Sequence, residues 1–259
     1  MTEDEFLNLT PPPVDKRLSY GSDPNQFGEL RLPAGAGPFP VVMNIHGGFW
    51  RNMYGLGHAG HYCAALTRSG FATWNVEYRR AGDKGGGWPG SLEDLALAYR
   101  FIRQNAAQHN LDNGRFLVSG HSAGGHLALC LAAHEPTLEL VMPLAAVSDV
   151  RKCYELHLSN DAVAEFLGGT PDVVPEHYRE ASPFELSIKA KQWLVHGKVD
   201  DIVPFSFSSD YVEAKKEKET VSLLELPKAG HFDVINPFSE IWPEMDKLVS
   251  RLLQSPVNT

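Results

Sequence analysis

The chain predicts an α/β protein, a mostly parallel sheet with helices on both faces. Three observations carry this. Strand-like and helix-like segments alternate along most of the 259 residues. The early apolar run Val41-Val42-Met43-Asn44-Ile45 is what a strand buried on both faces shows. Residues 115–133 then read as strand, tight glycine turn and helix without a break. Parallel strands need a crossover, usually a helix, so this alternation places helices on both faces.

In order, residues 1–14 are acidic and then proline-rich (Pro11-Pro12-Pro13) and are expected to be a poorly ordered lead-in. Extended pieces follow near Arg17–Tyr20 and Phe27–Leu32, then a Pro/Gly turn at 33–38 and the strand ending at Ile45. Tyr54–Ser69 reads as helix stopped by Gly70, and Phe71–Val76 as strand. Ser91-Leu92-Glu93-Asp94 opens a helix whose apolar positions Leu95, Ala98, Tyr99 and Ile102 recur at helical spacing. Phe116–Ser119 is strand, followed by a helix, and Leu138–Val147 contains another strand. Strands at 192–195 and Val221–Leu226 and helices at Phe205–Glu217 and Pro237–Leu253 complete the alternation. Residues 150–187, with Pro171, Pro175 and Pro183, break it and read as a small cap or lid with one helical piece near Ala162–Leu167. A single domain spanning 1–259 is expected.

Composition sets limits. Hydrophobic residues make up 43% and charged residues 21%, ordinary for a globular protein able to bury a core without staples. The net charge of −9 argues against nucleic acid or an anionic membrane as a main partner, since both select basic surfaces. Cys63, Cys130 and Cys153 have no framework spacing and read as buried free thiols. The acidic N-terminus and the lack of a long apolar stretch lead to the expectation of a cytoplasmic protein. A small-molecule substrate is the expected partner, with a homo-oligomer left open.

Chemistry concentrates at three places. Gly120-His121-Ser122-Ala123-Gly124 is a G-x-S-x-G in the strand–turn–helix context that holds a serine hydroxyl above a sheet edge. Serine needs a base, and the base an orienting carboxylate. A strand ending at His196-Gly197 is followed by Asp200 and Asp201; Asp200 is preferred, because Ile202-Val203 then return the chain to the core, and Asp201 is the alternative. His231, just past the last strand and behind Gly230, is the candidate base. The order Ser122, Asp200, His231, each past a strand, is more specific than any one of them among 11 histidines.

Acyl transfer also needs amide donors for the developing oxyanion. Ala123 should supply one, and Gly48 and Phe49 in His46-Gly47-Gly48-Phe49-Trp50 the others, with His46 bracing that loop and His121 and His126 read as supports or exposed residues. Phe49, Trp50, Tyr54, Trp88 and Tyr154 are candidates for an aromatic substrate slot, and Arg51, Arg79 or Arg151 for a cation facing a substrate carboxylate. His58 and His61 lie three apart but suggest no third ligand, so no metal is expected. Gly85-Gly86-Gly87 lacks the Lys-Ser/Thr of a phosphate loop and reads as a loop presenting Trp88.

These residues resemble the α/β-hydrolase superfamily over nearly the whole chain. The segment 46–50 is similar to the H-G-G-x-W of kynurenine formamidases, which related carboxylesterases share. Tyr20-Gly21-Ser22-Asp23-Pro24, Glu77-Tyr78-Arg79 and Gly230-His231-Phe232-Asp233 add to that likeness. The resemblance implies a cofactor-free serine hydrolase cleaving N-formyl-kynurenine, with Ser122 as nucleophile, Asp200 as acid and His231 as base. The alternatives are a carboxylesterase acting on small acyl or aryl esters and, from another class, a binding protein that kept the fold and lost the chemistry.

Overall fold

The computed structural model describes residues 3–254. Its centre is one eight-stranded sheet: β1 (Lys16–Ser19), β2 (Phe27–Arg31), β3 (Phe39–Ile45), β4 (Ala72–Val76), β5 (Leu111–His121), β6 (Leu140–Leu144), β7 (Lys191–Gly197) and β8 (Val221–Leu226). The strand order is β1-β2-β4-β3-β5-β6-β7-β8. The β1–β2 and β2–β4 pairings are antiparallel and the other five are parallel. This is the predicted class, the α/β-hydrolase fold, with an antiparallel edge added.

Helices cover both faces. Against one lie α2 (Gly60–Arg68) and the last helix, α9 (Trp242–Gln254), whose Met245, Leu248, Val249 and Leu253 join Tyr62, Cys63 and Leu66 over β3 and β6. Against the other lie α3 (Gly90–Gln104), α4 (Ala123–His134) and α8 (Ser206–Lys215), packed through Leu95, Ile102, Leu127, Leu131, Phe207 and Tyr211. α4 is buried on nearly every side, so it shows no polar face and its sequence is apolar all round.

Register fixes where the chain can do chemistry. Ile45 pairs with Gly120, His121 with Leu144, and Gly197 with Leu226. The parallel strands therefore end together, and the segments after β3, β5, β7 and β8 emerge along one edge, where open α/β sheets bind ligands.

Several boundaries differ from expectation. The lead-in begins with a helical turn, α1 (Glu3–Leu7), that buries Phe6 against the α2/α9 cluster, so its start is docked. The helix expected from Tyr54 begins later, as a 3₁₀ turn at Leu56–Ala59 leading into α2, because the Tyr54 carbonyl accepts from Arg80 and the Leu56 N–H donates to Glu77. The helix expected from Pro237 begins at Trp242. Residues 150–187 hold three short helices, α5 (Val150–Glu155), α6 (Ala162–Leu167) and α7 (Pro175–Glu180), of which only α6 was foreseen. Each is too short to show a periodic pattern, and tertiary packing supplies its stability.

Candidate active site

Ser122 occupies the single residue between β5 and α4, at φ 57° and ψ −121°. A non-glycine residue is costly there and persists only where its surroundings impose the conformation. They do: a Cβ at Gly120 would sit 2.2 Å from the Gly124 carbonyl oxygen, and one at Gly124 would sit 2.2 Å from that of Ile45. The Ser122 N–H donates to the Leu144 carbonyl at 2.8 Å, tying the turn to β6.

The loop after β7 presents Asp200, and the loop after β8 presents His231. His231 Nδ1 lies 2.7 Å from Asp200 Oδ2, with both side chains almost fully buried. The other carboxylate oxygen, Oδ1, accepts from the N–H groups of Ile202 and Val203. His196 Nε2 lies 3.2 Å from Oδ2. Burial works to raise the Asp200 carboxyl, but the hydrogen bonds from His196, His231 and Val203 outweigh it and hold the group well below the usual carboxylate range. Asp200 is thus a fixed anion. Asp201 is exposed, so of the two candidate carboxylates only Asp200 meets the imidazole.

His231 is tied to the elbow through His121. The two rings are 4.5 Å apart, and His121 Nε2–H donates to the His231 carbonyl at 2.9 Å. Among the described residues His231 Nε2 has no hydrogen-bond partner, and the Ser122 hydroxyl makes no direct hydrogen bond to it. Such bonds are often long before substrate is present and tighten in the complex.

The glycine loop crosses directly over the elbow. A Cβ at Gly47 would come within 3.0 Å of Ser122 Cβ and 2.8 Å of the His121 oxygen. Gly48, Phe49 and Trp50 follow with φ of 109°, 47° and 59°. Among the described residues no acceptor engages the N–H groups of Gly48, Phe49 or Ala123.

What holds this strained loop is a buried polar hub that the sequence reading only partly anticipated. His46 Nδ1 lies 2.8 Å from the Gly47 oxygen and Nε2 2.8 Å from Glu77 Oε1. Glu77 also accepts from the N–H groups of Tyr78 and Leu56 and pairs with Arg80 at 3.0 Å. Burial would raise the Glu77 carboxyl, but His46 and Arg80 lower it further than burial raises it. Tyr78 stacks on the His46 ring at 4.6 Å and donates to the His46 carbonyl. Glu77 and Tyr78 were visible in the sequence only as part of a family likeness; nothing in local pattern marks a strand-end carboxylate as a brace.

Not every predicted residue lines a cleft. Trp50 is fully buried, stacked on Phe166 at 4.8 Å, so it cannot form part of a substrate slot. Trp88 packs edge-on against Phe166 at 6.2 Å and borders a separate groove of about 420 Å³ with Leu92, Arg100 and Glu180. Tyr154 packs against Tyr178. Phe49 is half-buried and Tyr54 is exposed, and Tyr54 packs over Gly48. The three candidate cations are all engaged: Arg51 with Glu165, Arg79 with Asp94 and Arg151 with Glu185. His58 and His61 do not act as a pair: His58 sits edge-on to His46, and His61 bonds the Thr10 carbonyl.

A serine elbow, an imidazole–carboxylate pair and orphan amides on the same sheet edge are the framework of an α/β-hydrolase. The BD-FAE family model matches residues 29–214, well over half of the chain, and the protein belongs to that family. Among curated relatives it is 28% identical to esterase LipC of Mycobacterium tuberculosis (strain ATCC 25618 / H37Rv) over 247 residues, covering 85% of this chain and 60% of LipC. It is 26% identical to esterase LipQ of the same organism over 215 residues, covering 75% of this chain and 51% of LipQ. The chain thus spans between half and two thirds of the length of these relatives. A solved truncated form of a carbohydrate esterase from gut microbiota superposes with a TM-score of 0.79 at 20% identity, covering 95% of this chain and 98% of that one. No helix among the described residues is long and apolar enough to cross a membrane.

Proposed function

We propose that the protein is a carboxylic ester hydrolase that transfers small acyl groups to Ser122 and then to water. The observation that carries this reading is the Asp200–His231 pair on the same edge as the Ser122 elbow; among the described residues its outer imidazole nitrogen and the N–H groups of Gly48, Phe49 and Ala123 have no partner. His231 takes the Ser122 proton as the hydroxyl attacks the ester carbonyl. Asp200 keeps the imidazole oriented and stabilises the imidazolium that forms. The N–H groups of Gly48, Phe49 and Ala123 receive the oxyanion. His231 then protonates the leaving alkoxide, and water repeats the sequence on the acyl-enzyme. Ser122 and His231 are each only 2% exposed, which favours a small acyl group reached through a narrow approach.

The relatives named above are esterases, which supports the ester over the formamide. So does the engagement of Arg51, Arg79 and Arg151 by carboxylates, because N-formyl-kynurenine carries an amino-acid carboxylate that needs a free cation. The H-G-G-x-W segment keeps the arylformamidase reading as the competitor. Comparing kcat/KM for p-nitrophenyl acetate and N-formyl-kynurenine separates the two: the ester should win by at least about tenfold, a difference of about 1.4 kcal/mol. A clear preference for the formamide reverses the assignment. A fluorophosphonate should label Ser122; an unlabelled, inert protein would support the binding-protein reading.

A further inference from the structure

The strained loop that carries Gly48 and Phe49 is anchored at one further point. Trp50 Nε1–H donates to His126 Nδ1 at 3.1 Å, and both side chains are fully buried. Because Nδ1 accepts, the hydrogen of the neutral ring sits on Nε2, which donates to the Ala181 carbonyl at 2.7 Å. The Cys130 thiol donates to the same oxygen at 3.5 Å. Ala181 closes α7, and Phe166 of α6 lies nearly parallel to the Trp50 ring, with an interplanar angle of 13°. His126 is one turn beyond the elbow on α4, and its N–H donates to the Ser122 carbonyl at 3.1 Å.

Two things follow from this placement. The helix that follows Ser122 and begins at Ala123 also holds the anchor of the loop that carries Gly48 and Phe49. One imidazole therefore sets the spacing between the nucleophile and the donors on the far side of the carbonyl. The far end of that imidazole is held by Ala181, and Phe166 packs edge-on to its ring, so the 162–181 segment touches the elbow helix through His126.

We propose that His126 is a positioning residue that keeps the glycine loop in register with Ser122, and that residues 162–181 tune turnover through it. The proposal rests on the ester-hydrolase reading. An error of about 1 Å in donor placement weakens transition-state contacts far more than substrate binding, with losses on the order of 10²-fold in rate. The effect should therefore fall on kcat.

The test uses three variants of the full chain, with p-nitrophenyl acetate as substrate and a fluorophosphonate as active-site titrant. Trp50→Phe keeps the ring stacked on Phe166 and removes only the N–H donor; His126→Leu removes both bonds; His126→Gln offers an oxygen to Trp50 and an N–H to Ala181. Trp50→Phe and His126→Leu should lower kcat by roughly 10- to 100-fold per titrated site. KM should stay within about threefold, and the labelling rate should fall in parallel while the final label stays at one per chain. His126→Gln should recover most of the loss. If His126→Leu fails to fold, Trp50→Phe and His126→Gln decide the matter. Wild-type kcat in Trp50→Phe, or a loss confined to thermal stability, overturns the proposal. Wild-type protein that neither turns over the ester nor takes the label overturns the ester-hydrolase reading instead.

Discussion

Two buried imidazole–carboxylate pairs among the described residues have nearly the same separation, His46–Glu77 at 2.8 Å and His231–Asp200 at 2.7 Å, one through Nε2 and the other through Nδ1. Both join a histidine just past a strand to a carboxylate from another segment, and both carboxyls are held low by their partners. They differ in what the second ring nitrogen faces. In His46 it meets the Gly47 carbonyl, so the ring is used up as a brace. In His231 it has no partner among the described residues. The carboxylates differ too: Asp200 receives only hydrogen bonds from its own neighbourhood and the two imidazoles, whereas Glu77 also pairs with Arg80 and caps the Leu56 N–H. An imidazole–carboxylate pair therefore does not by itself identify a catalytic centre. What sets His231 apart is a ring nitrogen with no partner among the described residues, on a ring that packs against His121 of the elbow.

That contrast can be broken by substitution. The largest effect should come from the chemical side: Ser122→Ala should lower kcat by roughly four to six orders of magnitude, and Asp200→Asn by about 10³–10⁴-fold. Purified Ser122→Ala should keep a wild-type melting temperature; a near-native turnover would remove Ser122 from the mechanism. The opposite pattern is expected at the brace. Glu77→Ala takes the partner from buried His46 and one of two carboxylates from buried Arg80, leaving Asp83 at 3.5 Å, and should cost about 3–5 kcal/mol, read as a lower urea midpoint. A Glu77→Ala protein as stable as wild type but poorly active would make Glu77 part of the chemistry.

A smaller effect concerns acid. Burial, with the His46 ring beside it, pushes His58 down to about 4, and burial alone pushes His126 to about 4, from an ordinary value of 6.5. Between these values the unfolded chain binds more protons than the folded one, so stability rises with pH across the window. It should be lost as pH falls from about 6.5 toward about 4. The melting temperature should decline over that range, and less steeply in His126→Gln; equal slopes in the two proteins would remove His126 from this account. The smallest effect is assigned to Asp201→Asn, which should change stability by no more than about 0.5 kcal/mol and leave kcat intact, because the side chain is exposed. A large loss of activity would return Asp201 to the triad in place of Asp200.

Much of this was legible in the chain. Alternation and the apolar run at 41–45 specified the sheet and its layers, because burial on both faces forces both patterns. The elbow was legible because its backbone leaves no room for side chains at Gly120 and Gly124, so composition records the geometry. The aromatic slot was not. Trp50 and Trp88 carry the same letters whether they face a substrate or Phe166, and only packing chose the second. The short helices α5 and α7 were also hidden, since one and a half turns leave no period to read.

The order Ser122, Asp200, His231 and the class of fold were determined by sequence, because strand ends and crowded turns constrain residue type locally. Tertiary structure alone decided three things. It brought Asp200 and not Asp201 to His231, left the other His231 nitrogen without a partner among the described residues while it engaged both of His46, and turned Trp50 inward onto His126. Each depends on which atoms from distant segments meet in space, and contact of that kind leaves no periodic trace along the chain.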